Sequence, residues 1–440
     1  MKIIKIKKAV RIKGECIAPP DKSISQRTVM ISALSKAKVR VDNFLDCDDC
    51  RRAISAFRSM GIGISLEKSA EHTSTLYVQG KGLKGLKKPK TSMYIGNSGT
   101  TMRLIAGILA AQDFRSILSA DASLSARPMK RITAPLRAMG AQIKARKKTG
   151  QEYPPLTIDG GDLKSISYFL PVKSAQVKSC ILLAGLFAQG TTRLREQIKT
   201  RDHTERMLKL FKARISVSGL NVGIKQTKEL VAPKKIFVPG DISSAAFFIV
   251  AATLLNGSRL KIKKVGLNPT RIYFLKILKR MGADFEVLEK CSNLKAFEPY
   301  ADIQVLGAQL KSTIIKEDEA AYCIDELPII CVAACFAKGQ TKIIGAGELR
   351  VKETDRIYSM VTNLRKMGAD IKNFGNDLII NGSGALYGAE VESFGDHRTA
   401  MSMVIAGLMA CGQTTVKNTS CINKSFPEFM KILKNITELT

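Results

Sequence analysis

Six times along the chain a small or polar cluster opens an apolar, alanine-rich helix. The copies are DKSISQRTVMISALS from residue 21, NSGTTMRLIAGILAA from 97, SAQVKSCILLAGLFA from 174, DISSAAFFIVAATLL from 241, DELPIICVAACFA from 325 and DHRTAMSMVIAGLMA from 396. Their starts lie 67 to 84 residues apart, too far for a solenoid. A turn and a β-rich run follow most copies, in AQGTTRL (188–194), NGSRLKI (256–262), AKGQTKII (337–344) and CGQTTVKN (411–418). A second, amphipathic helix then ends in Met-Gly, in AFRSMGIGI (56–64), PLRAMGAQI (135–143), LKRMGADF (278–285) and LRKMGADI (364–371), each glycine suiting a helix C-cap; one further copy, LKLFKARISV, lacks it. The pattern predicts six α/β units, three per domain. Pro and Gly in VAPKKIFVPGDISSAAF (231–247), and Pro19-Pro20 before the first unit, offer the boundaries. We expect one domain of residues 1–20 plus 240–440 and a second of residues 21–239, with hinge crossings near 20–22 and 238–241.

With 70 Lys and Arg against 38 Asp and Glu, the net charge is +32, which favours anionic partners without choosing between polyanions and small substrates. The lysines fall in short, dispersed clusters, and with no Trp and 6% aromatics a base-stacking platform is poorly supplied, so no nucleic acid is expected. No apolar stretch reaches the length of a membrane span. The opening MKIIKIKKAVRIKGECIAPP alternates apolar and basic residues, lacks the apolar core of a secretory signal and reads as an edge strand, so a cytoplasmic location is expected. Ten cysteines without regular spacing read as reduced thiols. Cys47 and Cys50 form one C-x-x-C with no second pair, and His occurs only at 72, 203 and 397, so no metal site is expected.

The helix openings carry the chemistry, because unpaired N–H groups and a partial positive charge there attract anions. Lys22, Ser23 and Arg27 lie on one face of the first helix and could meet one anion; by residue type Ser23 is equally a plain N-cap. GNSGTTMR (96–103) puts two glycines beside a helix start, where a ligand could touch backbone N–H groups, or where the chain simply turns tightly. Lys352 and Arg356 fall four apart on an expected helical face with Glu353 alongside. His397 and Arg398 sit in a first turn, where cations oppose the dipole unless an anion is bound. Asp325-Glu326 opens the fifth helix, where the dipole alone could account for both acids.

Taken together, PPDKSISQR, GNSGTTMR, ARPM (126–129), SAQVKSCILLAGL, TRDHTERML (200–208), IDELP, ELRVKETDRI, GDHRTAM and KSFPEF (424–429) resemble, in order and spacing, the 3-phosphoshikimate 1-carboxyvinyltransferase family, also called 5-enolpyruvylshikimate-3-phosphate synthases. The resemblance runs from about Lys13 to Leu433. It implies a two-domain inside-out α/β barrel of six βαβαββ units, three per domain about a pseudo-threefold axis. It also implies transfer of the enolpyruvyl group of phosphoenolpyruvate to the 5-hydroxyl of 3-phosphoshikimate, releasing phosphate through a tetrahedral ketal phosphate, with no cofactor and no metal. A monomer with these two small-molecule partners is expected.

Carried over by position, Lys22, Ser23, Arg27, Ser174, Ala175, Gln176, Arg201, Asp325 and Lys352 would hold 3-phosphoshikimate. Lys22, Asn97, Gly99, Arg127, Gln176, Arg356, Arg398 and Lys424 would hold phosphoenolpyruvate. Asp325, resembling the base on the 5-hydroxyl, Glu353, resembling the group that exchanges protons with the methylene carbon, Lys22 and His397 would be catalytic. Ala175 stands where other members carry a second serine, which loses one hydroxyl contact, and Pro20 stands where many have glycine. The alternatives are a related transferase acting on a UDP-sugar, which typically carries a cysteine on a catalytic loop where ARPM has none, and a non-catalytic basic scaffold for RNA.

Overall fold

The computed structural model describes residues 2–68, 74–293 and 297–439, so His72 lies outside the described residues. The chain divides into two compact units, one made of the residues up to Pro19 together with those from Pro239 onward, the other of Pro20–Val238.

In the unit Pro20–Val238, three of the apolar runs form the helices Lys22–Ala33, Gly99–Leu109 and Ala175–Gly185. A helix apolar on every side has no solvent face and must be covered all round. Burial is correspondingly continuous, from Ile24 to Ala33 in the first helix, Ser25, Gln26, Arg27, Thr28 and Ser32 included. Three four-stranded sheets of one pattern belong to this unit. In the third, Ser167–Phe169 runs parallel to Thr191–Arg195 across the buried helix, and Asn221–Lys225 and Ile215–Ser218 complete the sheet antiparallel. Parallel neighbours need such a crossover, while antiparallel ones need only a turn. Met93–Tyr94, Arg115–Ser119, Gln151–Asp159 and Gln142–Lys148 repeat the pattern. The first sheet takes its leading strand, Lys235–Phe237, from the far end of the unit, where it lies parallel to Lys38–Phe44.

The other unit follows the same plan around the helices Ile242–Leu254, Leu327–Cys335 and His397–Met409. Its core includes Phe248 stacked on Phe429, with ring centroids 5.8 Å apart. Ala9–Ile17 leads the fourth sheet, parallel to Arg259–Gly266, and Ile4–Ile6 completes the sixth beside Thr414–Lys417. The opening segment is therefore not one edge strand. Ala9–Ile17 is an interior strand, because Thr437–Leu439 pairs along its other side.

The Met-Gly ends act as C-caps: Gly61, Gly140, Gly282 and Gly368 have φ of 83°, 102°, 96° and 86°. In the copy without glycine, Lys212 itself takes φ 58°. Among the described residues no helix is long and apolar enough to cross a membrane.

Candidate active site

Hydrogen bonds between side chains stitch together the first turns of the three buried helices in the unit Pro20–Val238. Asp21, Ser98 and Ser174 are the N-caps, accepting from Ile24 N (2.9 Å), Thr101 N (3.3 Å) and Val177 N (3.5 Å). Gln26 Nε2 donates to Ser98 Oγ (2.7 Å) and Thr101 Oγ1 (3.0 Å), joining the first helix to the second. Arg103 Nη1 donates to Gln176 Oε1 (2.7 Å) and Gln176 Nε2 to Thr100 Oγ1 (2.9 Å), joining the second to the third. Arg27 Nη2 donates to Ser179 Oγ (3.0 Å) and Nε to Thr204 Oγ1 (2.8 Å), closing the ring from first to third. Three helix N-termini held side by side add their partial charges, a setting built for a multiply charged anion.

Within this frame Lys22 lies 3.0 Å from the Asp49 carboxylate. Ser23 is half-buried and is not the cap, a role Asp21 fills; its carbonyl accepts from Arg27 Nη1 at 2.9 Å. Arg127, buried, donates through Nη2 to Asn97 Oδ1 at 2.6 Å. A Cβ on Gly99 would lie 2.8 Å from Arg103 Nη1 and 3.5 Å from Arg127 Nη1, so guanidinium groups occupy the space the missing side chain leaves. Ala175 opens the third helix, and the half-buried Arg201 precedes Asp202, the N-cap of His203–Leu210.

In the other unit the organising group is Arg356, almost fully buried. Its Nε donates to Asp396 Oδ2 (2.9 Å), Nη1 to Asp325 Oδ1 (3.2 Å) and Nη2 to Glu353 Oε2 (2.6 Å). Burial opposes its charge, but Asp396, Glu353 and Asp325 outweigh that cost and raise its pKa above the ordinary arginine value. Of the five N–H groups of a guanidinium these bonds use three. Arg398 Nη1 donates to the Asp325 carbonyl at 2.9 Å, and its Nε lies 3.5 Å from Asp325 Oδ1.

Three expectations change here. Lys352 and Glu353 do not share a helical face with Arg356: they lie on a bend, because Asp355 caps a helix that starts at Arg356. The anion at the start of His397–Met409 is the protein's own Asp396, fully buried, which accepts from Arg398 N (2.7 Å) and Thr399 N (3.1 Å). Neither member of Asp325-Glu326 caps its helix by a side chain: Asp325 meets Arg356 and Arg398, and Glu326 accepts from Ser243 Oγ. Desolvation holds the Lys352 ammonium below the ordinary lysine value, against the pull of Asp325, Glu348 and Glu353. His397 is buried at the first helical position, and Lys424 ends the short turn Thr419–Lys424.

The residues that sequence reasoning passed over are Asp49, Arg103, Ser179, Thr204 and Asp396. Asp396 had a signal, an acid just before a helix start, and Arg103 lay inside a quoted motif. Asp49 had none. Among the described residues no group of three or more His, Cys, Asp or Glu could hold a metal ion. Cys47 and Cys50 are free and buried.

A sequence-family model described as EPSP synthase (3-phosphoshikimate 1-carboxyvinyltransferase) matches residues 6–433. The chain is 46% identical over 426 residues to the 3-phosphoshikimate 1-carboxyvinyltransferase of Desulforamulus reducens, with 97% of each chain covered. It is 46% identical over 436 residues to that of Geotalea uraniireducens, with 99% of each covered. A solved structure of EPSP synthase from Acinetobacter baumannii matches with a TM-score of 0.87 at 42% identity, covering 100% of this chain and 98% of that one.

Proposed function

The chain belongs to the EPSP synthase (3-phosphoshikimate 1-carboxyvinyltransferase) family, and from that premise we propose how its side chains divide the chemistry. The enzyme transfers the enolpyruvyl group of phosphoenolpyruvate to 3-phosphoshikimate in the shikimate pathway. In the addition step the 5-hydroxyl oxygen bonds to C2 while a proton goes to C3, giving a tetrahedral ketal phosphate. In the elimination step the C–O bond to phosphate breaks and a proton leaves C3.

The observation that carries the division of labour is the grip of Arg356 on Asp325, Glu353 and Asp396 at once. Asp325 and Glu353 carry carboxylates, groups able to accept a proton, and Arg356 holds each in place. Asp325 takes the proton of the 5-hydroxyl, and Glu353 takes the proton that leaves C3. The acid for the addition step is Lys22, whose ammonium faces Asp49; His397 is a further proton carrier beside Arg398. Arg127, Arg398, Lys424, Gln176, Asn97, Gly99 and the remaining N–H groups of Arg356 bind phosphoenolpyruvate. Lys22, Ser23, Arg27, Ser174, Ala175, Gln176, Arg201, Asp325 and Lys352 bind 3-phosphoshikimate. Cations fixed in advance stabilise the carboxylate and the departing phosphate without rearranging. The enzyme works as a cytoplasmic monomer and uses no cofactor.

Phosphate release from phosphoenolpyruvate, followed with and without 3-phosphoshikimate, tests the reading. Release that requires both, with a product heavier by the enolpyruvyl group, is expected. Release that requires a UDP-sugar instead, or no release at all, would overturn it.

A further inference from the structure

Beneath the third buried helix of the unit Pro20–Val238 lies an ionic cluster that the chemistry above does not use. Lys178, on Ala175–Gly185, is fully buried. Its ammonium lies 3.0 Å from Glu196 Oε1 and 2.6 Å from Glu205 Oε1 as ion pairs, and it donates to Glu196 Oε2 at 3.1 Å and to the Thr200 carbonyl at 3.3 Å. Glu196 and Glu205 are almost as deeply buried. Desolvation raises the Glu205 pKa, although Lys178 pulls it down.

Burying three ionisable groups carries a large desolvation cost, and apolar residues of similar volume are often at least as stabilising. Stability alone therefore does not account for the cluster. What distinguishes it is the segment it grips. Glu196 Oε1 accepts from Thr200 N at 3.0 Å and from Thr200 Oγ1, while Lys178 takes the Thr200 carbonyl, so both polar backbone groups and the hydroxyl of Thr200 are fixed by buried charges. The next residue is Arg201. Between the strand ending at Arg195 and the helix starting at His203, Gln197 Nε2 donates to the Leu170 carbonyl at 3.1 Å, and Thr200 is held through its N–H, hydroxyl and carbonyl by the buried Glu196 and Lys178.

We propose that Lys178, Glu196 and Glu205 are positioning residues that set the Arg201 guanidinium for 3-phosphoshikimate through their hold on Thr200, an inference that rests on assigning Arg201 to that substrate. The triad acts on one substrate and through one arginine. Lys178→Met fills about the same volume while releasing the Thr200 carbonyl and taking the cation away from Glu196, which holds the Thr200 N–H and hydroxyl.

The experiment is a double-mutant cycle read in KM for each substrate. Lys178→Met raises KM for 3-phosphoshikimate about tenfold and leaves KM for phosphoenolpyruvate within about twofold. In an Arg201→Ala background, where KM for 3-phosphoshikimate is already raised, adding Lys178→Met changes it less than about twofold. If Lys178→Met does not accumulate as folded protein, Glu196→Gln carries the same expectations. Equal rises in both KM values, no rise, or the same rise in both backgrounds would overturn the positioning role and leave the Arg201 assignment standing. An Arg201→Ala enzyme with unchanged KM for 3-phosphoshikimate would remove the assignment, and the inference with it.

Discussion

Arg356→Lys keeps a positive charge and loses the fork that spans three carboxylates. The guanidinium reaches Asp396, Asp325 and Glu353 through three different nitrogens at 2.9, 3.2 and 2.6 Å, a spread that one ammonium on a shorter stem cannot cover. Asp396 is fully buried and is partly supported by the backbone N–H groups of Arg398 and Thr399. Full rupture of a buried pair costs about 3–5 kcal/mol, and a lysine that keeps one or two of the contacts should lose about 2 kcal/mol. For a cooperative unit of this size that lowers Tm by roughly 4–8 °C. Loss of the Nη1 contact also frees the Asp325 carboxylate, so kcat should fall about tenfold or more, a barrier increase of at least about 1.4 kcal/mol. Thermal unfolding by circular dichroism and phosphate release on the same preparation measure both. A variant with Tm unchanged within about 1 °C and kcat within about twofold would refute the view that Arg356 organises the acids.

Gly99→Ala should raise KM for phosphoenolpyruvate, because its Cβ would stand 2.8 Å from Arg103 Nη1 and must push that group away from Gln176; loss of a charged hydrogen bond of about 1.5–3 kcal/mol corresponds to roughly 10- to 150-fold, and steady-state kinetics checks it. Lys352 has a depressed folded pKa, so the folded state binds fewer protons and stability rises with pH between that value and 10.5. A bound anion restores the ammonium, so 3-phosphoshikimate binding should take up protons at alkaline pH, measured by calorimetry in buffers of different ionisation enthalpy, and Lys352→Met should abolish the uptake. Glu205 has a raised folded pKa, so the stability its protonation contributes is present below 4.5 and is lost as pH rises through the folded value. Glu205→Gln removes that dependence and should unfold no earlier than wild type at pH about 8, whereas an earlier unfolding would show an ionised Glu205 to be needed.

The six buried helices were legible because each carries an apolar, alanine-rich run behind a polar opening, a signal local in sequence. Gly61, Gly140, Gly282 and Gly368 marked four helix ends for the same reason, whereas the end at Lys212 was hidden because a lysine takes the left-handed conformation there. Ala9–Ile17 was misjudged as an edge because its covering strand, Thr437–Leu439, lies at the opposite end of the chain. In the candidate site, most cations were visible in motifs, and which residues they pair with was not. Arg27 meets Ser179 and Thr204 across 152 and 177 residues, and Arg356 meets Asp396 across 40. Such pairings are fixed by how buried helices pack side by side, which no local pattern encodes. Glu353 was placed on a helix because its spacing to Arg356 fits one, but the Asp355 cap starts that helix later and leaves Glu353 to reach back from a bend.

The separate duties of the two acids are tested most directly by turnover in deuterated water with Glu353→Gln. The substitution keeps the shape and removes the ionisable group. The account predicts that deuterium entry into the product methylene or into recovered phosphoenolpyruvate slows sharply while both substrates still bind, and that Asp325→Ala instead loses most turnover, with both substrates still bound, because the 5-hydroxyl keeps its proton. Normal deuterium incorporation per turnover in Glu353→Gln, with only weaker binding of phosphoenolpyruvate, would show that Glu353 merely balances Arg356 and would contradict the assignment.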